Sequence, residues 1–176
     1  MFGVPTETYW VNDADGCNKD PLKTAQLIEE LIEKDYFVGG GIGFVSNSDK
    51  EKYGLVGHHA YSYHGVCYVN FNGNSRYPLI KVRNPWGSTE WKLNFSDYDN
   101  DNWSDANKNA CNYDQDVEDG YFHIPAEDFV DWFGDISTGF MIDNYVSTNK
   151  LVEGHTSGTI SYDIEIEEDG QCFLGV

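Results

Sequence analysis

The chain has 176 residues, of which 30 are Asp or Glu and 11 are Lys or Arg, for a formal net charge of −19 at pH 7. Such a balance argues against nucleic acid and anionic membrane surfaces as partners, since both attract Lys and Arg, and it favours metal ions or basic proteins. The 5 Trp, 12 Tyr and 10 Phe rule out wholesale disorder, because a chain this aromatic has the means to build a core.

No run of about eighteen apolar residues occurs, so no membrane-spanning helix is predicted. The start, Met1 to Glu7, has neither a basic nor an apolar signal region and does not read as a signal peptide. Cys17, Cys67, Cys111 and Cys172 are widely spread, with no Cys-x-x-Cys pair. They are expected to be four free, buried thiols, which points to a cytoplasmic protein.

Residues 1–20 read as a lead-in. Asp20-Pro21 then supplies a helix N-cap and a proline at the first helical position. Leu22, Ala25, Ile28 and Ile32 follow at helical spacing, predicting an amphipathic helix from Pro21 to about Lys34. Gly39-Gly40-Gly41 lies within a predicted strand, Phe37 to Val45, where backbones approach closely. Two longer strands are predicted over Gly57–Val69 and Tyr77–Asn84, rich in aromatic and β-branched residues. Between them Asn72-Gly73 is a strong hairpin signal, so the two strands should pair antiparallel. Residues 94–119 are rich in Asp and Asn and read as a long surface loop with few regular elements. A short strand over Gly120–Ile124, a short helix over Ala126–Phe133 and a strand over Gly139–Tyr145 complete the unit, taken as residues 21–146. The tail 147–176 alternates polar and apolar residues late on and reads as a linker and the start of a following β domain. The class is α+β, mainly an antiparallel sheet or barrel-like lobe with a few helices.

A turn centred on Asn72-Gly73 makes cross-strand partners sum to about 145 and leaves His59 a near diagonal neighbour of Asn84, roughly 7–8 Å away at Cα. A carboxamide oxygen there can accept the imidazole N–H, fixing its tautomer and leaving the other ring nitrogen free to act as a base. That is the Cys-His-Asn logic of thiol proteases without its Cys. On spacing alone, a buried His satisfied by a turn amide is the favoured reading.

The words around these residues carry a resemblance. Gly54-Leu55-Val56-Gly57-His58-His59-Ala60-Tyr61-Ser62 resembles the calpain motif around the catalytic His. Arg83-Asn84-Pro85-Trp86-Gly87 resembles the calpain motif around the catalytic Asn, and Glu90-Trp91, Ser96-Asp97 and Glu118-Asp119-Gly120 follow in the order that family shows. The resemblance covers about Pro21 to Tyr145. It implies the second, His/Asn-bearing lobe of a papain-like cysteine protease core acting on protein substrates. By the same resemblance His59 is the general base, Asn84 orients it, and Trp86 shields their hydrogen bond from water. His58, one residue early, is expected on the opposite face.

The family's nucleophile belongs to a first lobe, in a Gln-Gly-x-x-Gly-x-Cys-Trp context. None of the four Cys here precedes a Trp, and Cys17 sits among acidic residues that would raise a thiol pKa. The Cys-bearing first lobe is therefore expected as a partner, and these residues alone are expected to be inactive. The alternative is a non-catalytic calpain-like module that uses calcium and its acidic face to bind a basic partner; a plain β-rich structural domain is a third reading.

The stretch Asp97-Tyr98-Asp99-Asn100-Asp101 imitates the start of an EF-hand, but its sixth position is Asn102 and its twelfth Lys108, so it is not one. The resemblance instead implies a Ca²⁺ site from Glu90, Asp97, Asp119 and the backbone carbonyl of Val117. Tyr121 stands where the family commonly has a further Glu, so affinity is expected to be weak, roughly 10⁻⁵–10⁻³ M. His58, His59, His64 and Cys67 alternate faces of one strand and are not expected to hold zinc.

Overall fold

The structure is a computed structural model that describes residues 5–14, 16–114 and 118–140. In chain order its elements are β1 (Thr6–Trp10), α1 (Pro21–Glu33), β2 (Phe37–Ile42), α2 (Asn47–Tyr53), β3 (His59–Phe71), β4 (Asn74–Arg83), α3 (Asp105–Cys111), β5 (Tyr121–Pro125), α4 (Ala126–Trp132) and β6 (Asp135–Gly139). The strands form one six-stranded sheet in the order β1-β6-β2-β3-β4-β5, with every pairing antiparallel. The class is α+β, as expected.

Local chemistry accounts for the elements that carry the site. Asp20 caps α1 by accepting from the backbone N–H of Leu22 and Lys23, at 2.9 and 3.0 Å, and the helix buries Ala25, Ile28 and Leu31. The β3–β4 hairpin turns on Asn72 and Gly73, both at positive φ (49° and 81°), the type I′ geometry that matches the twist of the flanking strands. Ser62 faces Arg83 and Phe71 faces Asn74, the register expected from that turn, but irregularities between Tyr63 and Gly65 and between Val69 and Phe71 offset the pairs from Gly65–Lys81 to Val69–Tyr77 by one residue.

Strand alternation sends β4 side chains to two cores. Ile80 and Val82 join Tyr61, Phe122 and Phe129 beneath α1 and α4. Tyr77 and Leu79 face the other way, onto Phe95, Trp103 and Cys111.

That second core corrects the expectation of a loop over 94–119. The segment contains α3, capped by Ser104, whose Oγ accepts from Asn107 N at 3.2 Å. It has almost no aliphatic residues, so periodicity does not reveal it. Its anchors are aromatic and polar instead. Phe95 and Trp103 are buried, and the Asn107 carboxamide both accepts from Asn70 N (3.0 Å) and donates to Asn70 O (3.1 Å), docking α3 on β3.

The docking also corrects the expectation of four free thiols. Cys67 on β3 and Cys111 on α3, 44 residues apart, form a disulfide with their Cα atoms 5.1 Å apart. Cys17 is free and buried, and Cys172 lies outside the described residues.

Two elements were not foreseen. β1 is an edge strand with hardly any buried side chain, so it has no apolar alternation to read. α2 buries no residue and rests on its Ser46 cap and the left-handed Gly54 that ends it. β6 (Asp135–Gly139) lies ahead of the strand expected over Gly139–Tyr145 and meets it at Gly139. Phe140 donates its N–H to Pro5 O at 2.9 Å, while residues 141–145 of that expectation, the tail 147–176 and Val117 lie outside the described residues.

Candidate active site

His59 opens β3 and Asn84 directly follows β4, and the hairpin brings them together. The His59 Nε2 and Asn84 Oδ1 atoms are 2.9 Å apart. The surrounding bonds decide which carboxamide atom faces the ring. Asn84 Nδ2 donates to the carbonyls of Ser88 (2.7 Å) and Thr89 (3.0 Å), so the oxygen is the atom left for His59. That oxygen also accepts from Trp86 N at 3.0 Å. Nε2 must then carry its proton and donate it, which leaves Nδ1 as the nitrogen free to take a proton from a nucleophile. Asn84 is fully buried.

The Trp86 ring lies 4.3 Å from the His59 ring, centroid to centroid, and Tyr61 packs edge-on at 5.0 Å from the other direction. Trp86 is 59% exposed and Phe44, packed on His58, is 78% exposed, so an apolar rim borders the imidazole. His58 is not on the strand: its φ is 50°, and its N–H donates to Gly43 O at 2.7 Å.

The turn after Asn84 is fastened to the start of β5. Asn84 N donates to Gly120 O (2.8 Å), and Gly120 N donates to Glu90 Oε1 (2.6 Å). Glu90 Oε2 accepts from Glu118 N at 3.4 Å. Glu90 and Asp97 are both buried and adjacent. Burial, then the charge of Glu90, pushes the Asp97 carboxyl up to about 7, and the Tyr113 hydroxyl is directed at Asp97. Asp119 Oδ1 accepts from Tyr121 N at 2.7 Å, and the charge of Asp119 also acts on Asp97. Among the described residues the three carboxylates do not bring three donor atoms within 4.8 Å of one another. Glu90 and Asp97 fit a cation chemically, as a buried pair of like charges that a divalent ion would relieve.

The hairpin register brought His59 and Asn84 together, and the family resemblance added Trp86 and grouped Glu90 with Asp97. Sequence reasoning missed four contributors: the Ser88 and Thr89 carbonyls that orient the amide, Tyr113 beside Asp97, and Gly120. A sequence signal existed for Gly120 in the Asp-Gly turn ahead of a strand. None existed for backbone carbonyls.

Two titrating groups near this region act on stability with opposite sign. Burial, with Lys81 nearby, lowers the His123 imidazole from 6.5 to about 3. The unfolded chain therefore takes up a proton that the folded one refuses. Stability is fully present above about 6.5 and falls as the pH drops below it, by up to about 1.4 kcal/mol per pH unit. Asp97, raised from 3.8 to about 7, contributes most below 3.8 and loses its contribution as pH rises. Removing His123 should leave the Asp97 trend exposed. Urea midpoints measured between about pH 4 and pH 6.5 are expected to fall with rising pH more steeply for His123→Gln than for the unsubstituted chain. A steeper fall toward acid in the variant would contradict the assignment.

Fold and site together define an α+β lobe carrying an imidazole–carboxamide pair of the kind thiol proteases use. Comparison with known proteins extends this. The family described as "Calpain family cysteine protease" matches residues 2–139. Human Calpain-8 (Homo sapiens) is 36% identical over 119 residues, covering 65% of this chain and 17% of that protein. Human Calpain-9 is 30% identical over 134 residues, covering 72% of this chain and 18% of that protein. The chicken (Gallus gallus) Calpain-2 catalytic subunit is 33% identical over 123 residues, covering 64% and 16%. The chain belongs to the calpain family of cysteine proteases. It spans less than a fifth of the length of these relatives.

Proposed function

We propose that these residues form the histidine-bearing half of a calcium-regulated cysteine endopeptidase of protein substrates, whose nucleophilic Cys comes from a first lobe outside them. The observation that supports this most is the oriented pair: Asn84 Oδ1 holds the Nε2–H of His59, and Asn84 is itself fixed by two backbone carbonyls. In this reading His59 Nδ1 takes the thiol proton, giving a thiolate–imidazolium pair. The thiolate attacks the scissile carbonyl, and the imidazolium then protonates the leaving amine. Asn84 keeps the ring aimed through both steps and stabilises the imidazolium. Trp86 covers the hydrogen bond from one side, and with Phe44 it offers the apolar rim on which a first lobe would dock.

Glu90, Asp97 and Asp119, with the carbonyl of Val117, are the proposed Ca²⁺ ligands. Bound calcium would supply positive charge to offset the Glu90–Asp97 repulsion, and Glu90 would pass that order to Asn84 through Gly120. A cytoplasmic setting is part of this reading and suits a thiolate nucleophile; thiols are kept reduced there, so it requires the Cys67–Cys111 pair to stand open.

The test is to mix this chain with the separately prepared Cys-bearing lobe and to assay peptide hydrolysis with and without Ca²⁺. The chain alone is expected to be inactive, the mixture active and Ca²⁺-dependent, and His59→Ala silent. Glu90→Ala is expected to raise the calcium requirement at least about tenfold. Hydrolysis by this chain alone, lost on Cys17→Ala, would overturn the proposal. A Ca²⁺-binding but inactive mixture would favour the non-catalytic module.

A further inference from the structure

The second core holds three soft donors that the hydrolytic site does not use. One ligand atom from each of Cys67 on β3, Cys111 on α3 and His123 on β5 lies within 4.8 Å of the other two. Among the described residues this is the one such trio drawn from His, Cys, Asp and Glu. The disulfide joins two of the three. The third, His123, is 4% exposed and sits edge-on to Trp103 and Tyr113, at 5.3 and 5.9 Å. Those are ring contacts, and no described residue hydrogen-bonds its imidazole.

We propose that Cys67, Cys111 and His123 form a zinc site that is closed by oxidation and opened by reduction. In the oxidised chain the sulfurs are bonded to each other and cannot ligate. Two equivalents of a small-molecule thiol break that bond, leaving two protein thiols and one small-molecule disulfide. Zn²⁺ then displaces one proton from each thiol to solvent, and neutral His123 offers its ring nitrogen lone pair. A water completes the four positions.

Three physical points support this. Two thiolates and one neutral imidazole balance the charge of Zn²⁺, so the complex buries no net charge. Soft sulfur and imidazole donors prefer zinc to the calcium that carboxylates attract, which separates this site from Glu90 and Asp97. The backbone frame does not depend on the S–S bond, because the paired Asn107–Asn70 hydrogen bonds hold α3 against β3 independently. Once released, the sulfurs need to separate only to about 3.8 Å to sit around a metal with Zn–S near 2.3 Å. Reducing conditions would thus exchange a covalent staple on the 94–114 segment for a metal one.

Cobalt(II) titration of the reduced 176-residue chain tests this directly. One equivalent is expected to give the intense visible bands of tetrahedral cobalt and a near-ultraviolet thiolate-to-cobalt charge-transfer band, and both are lost when zinc is added. The oxidised chain should show neither. Cys111→Ser should lose most of the charge-transfer band, and His123→Asn should lose the tetrahedral bands while circular dichroism confirms that the fold persists. If a variant fails to fold, the charge-transfer band of the unsubstituted chain and its dependence on reduction still report thiolate ligation. The proposal is overturned if the reduced chain shows no charge-transfer band, if the oxidised chain binds equally well, or if cobalt binds only with the weak spectrum of an oxygen-ligated ion.

Discussion

Gly120→Ala is expected to destabilise the chain by about 3 kcal/mol or more and to unseat Asn84. At φ +90°, Gly120 occupies a region that a residue with Cβ enters at a cost of about 1–3 kcal/mol. A Cβ built there would also lie 2.6 Å from the Asn84 carbonyl oxygen and 2.9 Å from Gly87 Cα, both backbone atoms that cannot rotate away. The backbone would have to shift, and it is the backbone that pairs with Asn84 N and with Glu90. Gly87 provides the control. Its φ is 71°, but an added Cβ would meet nothing nearer than the Asp119 carbonyl at 4.0 Å. Gly87→Ala should therefore cost only about 1 kcal/mol, the penalty of the dihedral alone. Urea unfolding of the two variants side by side measures the difference. Equal losses would show that the close approach to Asn84 does not matter.

Asn84→Ala is expected to lower kcat of the complemented protease by about 10²-fold or more, with the thiol of the partner lobe intact. The substitution removes the acceptor for His59 Nε2, so the ring loses the bond that fixes its tautomer and aim. It also strands the Ser88 and Thr89 carbonyls, each of which now accepts from Nδ2. Both residues are half-buried, so each unmet carbonyl should cost less than the roughly 1–3 kcal/mol of a fully buried one, and stability should fall modestly together with rate. Heteronuclear NMR of the His59 ring separates the two effects. The unsubstituted chain should show the Nε2–H form, and Asn84→Ala a mixture of tautomers. A kcat within about threefold of the parent would remove Asn84 from the orienting role.

Both predictions turn on the join between the Asn84 turn and β5, and the two sides of that join were not equally legible. The hairpin could be read because a type I′ turn has a two-residue signature, and the turn then determines which residues of β3 and β4 meet. His59 and Asn84 follow from that register. α1 was equally open, with its cap, its proline and its apolar stripe all within one short segment. The 94–114 segment could not be read this way. Its buried residues are two aromatics, a serine, an aspartate, a disulfide cysteine and an asparagine that bonds a backbone 37 residues away. No periodic pattern encodes such contacts. The free-thiol expectation failed for the same reason, since Cys67 and Cys111 approach only after α3 has docked.

From its sequence alone this protein has its first helix, its central hairpin and the meeting of imidazole with carboxamide, because each follows from neighbours a few residues apart or from one turn. Only the tertiary structure decided how the acidic segment folds over the sheet, which carboxylates are buried together, and that two cysteines and a histidine lie side by side. Those outcomes depend on packing between distant parts of the chain, where side-chain shape and unmet backbone groups select the partner and local pattern carries no record of the choice.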